Sequence, residues 1–139
     1  MKELRFDTGL VSYKLNDAVE VSFNPTDMAF VERLFNVFDE LDKKQSEYDA
    51  EKSANADARQ FFDTARRLDE EMRGMIDDVF SQPVCAALFG GMNVYAFADG
   101  QPVWCNLLFA VMDEIDSGVV REKTALNPRI QKYTAKYHK

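Results

Sequence analysis

Residues Pro83 to Ser117 read PVCAALFGGMNVYAFADGQPVWCNLLFAVMDEIDS, the most apolar stretch of the chain. Its second half, Pro102 to Ile115, carries Val103, Trp104, Leu107, Leu108, Phe109, Val111, Met112 and Ile115, and so is apolar almost all the way round a helical wheel. A helix without a polar face has to be surrounded by protein. This segment is therefore expected to be a buried helix ending near Ser117-Gly118, with the more polar flanking segments as its covering.

Those flanks fix the fold class. Leu4 and Phe6, then Val11, Tyr13 and Leu15, then Val19, Val21 and Phe23 alternate with polar neighbours. Period two over short β-prone runs predicts half-buried strands. Asn16-Asp17 suits a tight hairpin turn and Thr8-Gly9 a first one, which makes a three-stranded antiparallel meander the simplest reading. In Asn24-Pro25-Thr26-Asp27 the strands end and a helix starts, with Asn24 as cap and Pro25 at the first helical position, or Thr26 as cap.

Phe30, Leu34, Val37, Phe38 and Leu41 then follow helical spacing. The apolar stripe nearly vanishes from Asp42 to Gln60, apart from Tyr48 and some alanines. It resumes from Phe61 through Leu68, Met72, Ile76 and Val79 to Phe80. Two structures satisfy this pattern. One is a helical hairpin turning near Ser53–Asp57, with a polar tip in solvent. The other is a single helix roughly 80 Å long at 1.5 Å per residue. The hairpin is favoured because it brings both apolar ends into one core. Pro83 then starts a short helix through Phe89, stopped by Gly90-Gly91. Asp99-Gly100 is a turn. Asn127-Pro128 starts a short basic helix carrying Ile130, Tyr133 and Tyr137 on one side.

The expected fold is thus α+β and mostly α, in a single domain over 1–139. An N-terminal antiparallel β meander (1–24) precedes a long polar helical arm or hairpin (25–81), a buried helical core (82–124) and a basic tail (125–139). The chain's 139 residues suffice for a sizeable core, and 46% hydrophobic with 12% aromatic residues marks a folded chain.

The formal charge of −7 argues against non-specific binding to nucleic acid or an anionic membrane, since both need a positive field. No run approaches the roughly 18 to 20 apolar residues of a membrane span. The N-terminus lacks the apolar run of a signal peptide, so a cytoplasmic location is expected. The charge is nevertheless uneven, because Leu126 to Lys139 contains four Lys/Arg and no acidic residue. Cys85 and Cys105 lie among Val, Ala and Leu and read as buried free thiols.

Catalytic material is sparse. His138 is the only histidine, and it lies where chain ends fray. Cys–His and Ser–His pairs are thereby set aside. No phosphate loop of the Walker or dinucleotide type is present. Asp39/Asp42 and Asp113/Asp116 each share a helix face, the loose beginning of a magnesium site. All-α nucleotide pyrophosphohydrolases use a denser Glu-x-x-Glu and Glu-x-x-Asp set. The reading is a protein that is not an enzyme, without cofactor or metal. Its partner-binding candidates are Tyr48 on the arm and Arg129, Ile130, Lys132, Tyr133 and Tyr137 on the tail.

Three stretches, VSFNPTDMAFVERLF (21–35), CAALFGGMNVYAFADGQPVWCNLLFAVMDEID (85–116) and NPRIQKYTAKYHK (127–139), resemble a family of small proteins encoded in the tail-gene region of phages and prophages of gut Firmicutes. The resemblance covers most of the chain outside the polar arm around 45–60. It implies a tail assembly chaperone that coats the helical tape-measure protein in the cytoplasm of a bacterial host and forms homo-oligomers. The alternatives are a magnesium-dependent nucleotide pyrophosphohydrolase and a structural tail component or adaptor retained in the virion. These motifs carry no chemistry of their own, so the functional expectation rests on association.

Overall fold

The computed structural model of the chain describes residues 1–54, 57–124 and 128–137. It is mostly helical, with a small antiparallel hairpin near the N-terminus. Strands β1 (Val11–Leu15) and β2 (Val19–Phe23) pair with Val11 opposite Phe23 and Leu15 opposite Val19. Asn16 and Asp17 turn the chain at φ of 49° and 56°, and the Ala18 N–H closes the turn on the Leu15 carbonyl at 2.9 Å. Positive φ at both central residues matches the right-handed twist of the strands, and Asn and Asp tolerate it best after glycine. Val21 and Phe23 are buried, while Glu20 and Ser22 face out.

The expected first strand does not form. Residues 1–10 lie outside any strand, with Leu4 and Phe6 87% and 82% exposed. Its turn pairs Gly9, at φ +76°, with a clamp: the Asn24 side-chain amide donates to the Thr8 carbonyl at 2.9 Å. Asn24 follows Phe23, so the clamp leads the chain past the end of β2 instead of back along β1. The meander is reduced to two strands.

The same asparagine moves the helix start. The Asn24 side-chain oxygen accepts from the Thr26 N–H at 2.8 Å and from its hydroxyl at 2.7 Å, and its carbonyl accepts the Asp27 N–H at 3.0 Å. Residues 24–27 are thus a turn, with Pro25 inside it. Asp27 is the cap, accepting the Ala29 N–H at 3.0 Å, and neither Asn24 nor Thr26 is. Helix α1 runs Met28–Ala54 and α2 runs Ala58–Phe80, side by side as a hairpin whose break falls in the expected 53–57 window. No Pro or Gly is needed there, because Asp57 is extended and its carboxylate accepts the Arg59 N–H at 3.0 Å.

Ser81 ends α2 in the left-handed region, its N–H directed at the Asp77 and Asp78 carbonyls. Helix α3 (Val84–Phe89) stops at Gly90, as the sequence leads one to expect. A two-residue hairpin follows, β3 (Phe97–Ala98) and β4 (Gln101–Pro102), turned by Asp99 and Gly100 at φ of 56° and 80°. Helix α4 then runs Val103–Thr124 and α5 Pro128–Tyr137.

Helix α4 differs from the expected buried helix in two ways. It is continuous through Ser117-Gly118. It is also buried on one side only: Trp104, Leu107, Leu108, Val111 and Ile115 are buried, whereas Phe109 is 38% exposed and Ala110 faces out. Its buried side meets Leu34 and Leu41 of α1 and Leu68, Met72 and Ile76 of α2 in one core cluster. Among the described residues, the half-buried Phe38 is the ring neighbour of Phe109, at 5.6 Å between centroids.

Candidate functional site

The six sequence-selected residues do not form one surface. Tyr48 belongs to the fold. It is half-buried, stacks on Tyr95 with centroids 4.1 Å apart and 8° between planes, and tilts against Phe61 of α2 at 5.2 Å. Burial, followed by the charge of Asp49, pushes its hydroxyl pKa up. Tyr48 thus ties the base of the arm to the loop after α3. It escaped the core assignment because α1 carries no other large apolar residue nearby to reveal the stripe.

The four tail residues Arg129, Ile130, Lys132 and Tyr133 lie on α5. Ile130 is 69% and Tyr133 41% exposed, and the Lys132 ammonium sits 5.2 Å from the Tyr133 ring centre. The side chain of Tyr137 lies outside the described residues, as does His138. Position, charge and exposure give α5 an apolar side of Ile130 and Tyr133 among cations.

The helical arm is fastened by charge. Lys44 of α1 reaches Glu71 of α2 at 2.6 Å, and Arg67 bridges Glu71 at 3.1 Å and Glu47 at 3.3 Å. The Lys44 hydrogen bond, foremost, holds the Glu71 carboxyl below the usual range. A second cluster was not visible in the sequence. Arg73 pairs with Asp69 at 3.0 Å and donates to the carbonyls of Gly90 and Met92, while Asp69 accepts the Val94 N–H at 2.8 Å. Asp77 likewise accepts the Cys85 N–H at 2.9 Å and serves as a cap borrowed from α2. Asp69 and Asp77 of α2 are thus spent on positioning the apolar stretch.

Asp39, Asp42, Asp113 and Asp116 are all exposed. Among the described residues no three His, Cys, Asp or Glu side chains converge in a way that could hold a metal ion. Cys85 is buried and Cys105 half-buried, and both are free thiols. Burial is the main cause that lifts their pKa values, to about 12 and about 11. Both thus lack the thiolate character that nucleophilic chemistry needs.

Among the described residues no helix is long and apolar enough to cross a membrane. Against models of protein families, curated proteins and solved structures, the chain has no match.

Proposed function

We propose that this protein is a non-enzymatic assembly chaperone that holds a long helical partner, of the phage tape-measure class, during tail assembly in the host cytoplasm. The observation that carries the reading is α5: a short basic helix that exposes Ile130 and Tyr133 on a chain whose net charge is −7. Its chemistry suits an amphipathic helical partner with acidic flanks, and the acidic remainder keeps a chaperone–client complex dispersed. The polar helical arm, fastened by Lys44, Glu71 and Arg67, adds a long scaffold along which a helix can lie.

The test is co-expression with the tape-measure protein encoded in the same tail-gene cluster. The soluble fraction of that protein rises and it co-purifies with the chain. A double variant, Ile130→Asp with Tyr133→Ala, keeps the fold and loses the capture. A tape-measure protein that stays equally insoluble with and without the chain overturns the reading. Mass spectrometry of purified particles separates a chaperone, which is left behind, from a structural component retained in the virion.

A further inference from the structure

The N-terminal ten residues carry a strand pattern with no strand to join. Leu4 and Phe6 alternate with Glu3, Arg5 and Asp7 in the sequence and are 87% and 82% exposed. Arg5, which lies between them, pairs with Glu3 at 3.0 Å. An exposed alternating segment is the chemistry of a missing strand.

The same chain offers an open edge. The sheet contains only β1 and β2. The Ala18 N–H bonds the Leu15 carbonyl, so Leu15, Tyr13 and Val11 direct their backbone groups to β2, and Ser12 and Lys14 direct theirs outward. On the β2 side the outer edge is partly covered, because the Gln82 side-chain amide donates to the Glu20 carbonyl at 2.8 Å. Among the described residues nothing pairs with the outer edge of β1. Beside its Lys14–Asn16 end lies a groove of ≈ 430 Å³ lined by Leu15, Leu88, Phe89, Val103 and Leu107. An unpaired edge next to an unfilled apolar groove invites strand addition.

The segment's own chain cannot supply the match while the clamp is closed. Asn24 holds Thr8 beyond the end of β2, the side of the hairpin away from the outer edge of β1. Gly9 is fixed there as well: a Cβ at this position would lie 2.5 Å from the Asn24 side-chain nitrogen. The Asp7 carboxylate accepts the Gly9 N–H at 2.8 Å and sets the bend.

We propose that residues 2–8 add as a third strand to the outer edge of β1 in a second copy of this chain, with Leu4 and Phe6 covering the groove beside Leu15. Seven extended residues span roughly 23 Å and the five of β1 roughly 17 Å, so the segment covers the whole edge. The pattern that reads as a meander in the sequence is then completed between copies. This inference stands apart from the chaperone reading, and either can fail without the other.

The experiment uses the full chain and two variants in light-scattering size analysis. One variant lacks residues 2–8, and so can accept a strand but not donate one. The other, Lys14→Pro, can donate but not accept, because its outward N–H is gone while the bonds to β2 are kept. The wild-type chain is expected to have at least twice the monomer mass. Each variant alone has the monomer mass, and a mixture of the two forms a one-to-one complex. Phe6→Asp, at a site too exposed to affect the monomer fold, also gives monomers and serves if Lys14→Pro does not fold. A wild-type chain that is monomeric across micromolar concentrations overturns the proposal. So does an oligomer that survives both removal of residues 2–8 and Phe6→Asp.

Discussion

Gly118 and Pro25 are in direct contact, the α4 backbone lying so close to the proline ring that a Cβ on Gly118 would sit 2.6 Å from both its Cβ and its Cγ. Both residues are buried. This contact joins the turn after the hairpin to the middle of α4, and it explains why a glycine stands inside a continuous helix. In a solvent-exposed helix Gly→Ala gains about 1 kcal/mol of helix propensity. Here neither proline ring nor helix backbone is a flexible chain end that can give way. Overpacking of this kind costs about 1–3 kcal/mol. Gly118→Ala is therefore expected to destabilise the protein in a denaturant titration, in spite of its better propensity. A midpoint at or above wild type would mean that α4 and Pro25 do not touch.

The Tyr95 hydroxyl has the opposite standing. Tyr95 is 3% exposed, and its oxygen is the buried side-chain polar atom, among the described residues, that has no hydrogen-bond partner. Burial, followed by the charge of Asp69, pushes its pKa up. Leaving a hydroxyl unsatisfied costs about 1–3 kcal/mol, which removal of the oxygen recovers. The ring itself is needed, since it stacks on Tyr48. Tyr95→Phe should thus be neutral to stabilising by about 1 kcal/mol, whereas Tyr95→Ala should cost about 3–5 kcal/mol. Thermal melts of the two variants settle the matter: a clear loss for Tyr95→Phe would show that the hydroxyl is bonded in solution.

The thiols make the fold sensitive to alkali. Cys85 is raised from its ordinary value of 9.0 to about 12, and Cys105 to about 11, in both cases chiefly by burial. The unfolded chain ionises first as pH rises, so between pH 9 and 11 it binds fewer protons than the folded chain. Stability from these groups is then complete below pH 9 and is lost as pH rises through the folded values. Replacing both by Ala should flatten the decline of stability between pH 9 and pH 11. The measurement is the denaturant midpoint against pH for both proteins, and parallel curves would exclude the thiols as its cause. At neutral pH the buried Cys85 should be alkylated far more slowly than a free thiol, at a rate set by opening of the fold.

Much of the fold is legible in the sequence, and the reasons for the exceptions are physical. Periodicity places β1, β2 and the two arms of the helical hairpin because apolar spacing is imposed by the core they share. It also marks the run of Leu4 and Phe6 as a strand, but pairing is a long-range property and Asn24 sends that segment elsewhere. The helix start shifts to Asp27 because one asparagine side chain serves Thr8 and Thr26 together. Composition alone makes α4 look buried all round. Which side stays open depends on how many layers pack against it, and Phe109 is on the open one. Of the candidate residues, Ile130 and Tyr133 lie on the short basic helix that the Asn127-Pro128 start and their spacing predict, and both are exposed. Tyr48 is instead a link between α1, α2 and the loop, since its partner Tyr95 lies 47 positions further along the chain.

The loop after α3 depends on Arg73 in a way that lysine cannot reproduce. The guanidinium holds Asp69 with its Nε and turns another nitrogen to the carbonyls of Gly90 and Met92. Asp69, 17% exposed in its side chain, in turn takes the Val94 N–H. A planar fork satisfies these groups together, whereas an ammonium is a point charge that cannot bridge them in the same plane. Hydrogen bonds to a charged group contribute about 1.5–3 kcal/mol each when shielded. The Gly90 and Met92 carbonyls are exposed and regain water, so Arg73→Ala is expected to cost about 1–3 kcal/mol in total. Arg73→Lys should recover only the Asp69 pair and fall between. The decisive readout is local: amide exchange should quicken at 90–94 in both variants while α1 and α4 keep their protection. Exchange that quickens uniformly over the chain would mean that Arg73 supports the core as a whole and not this loop.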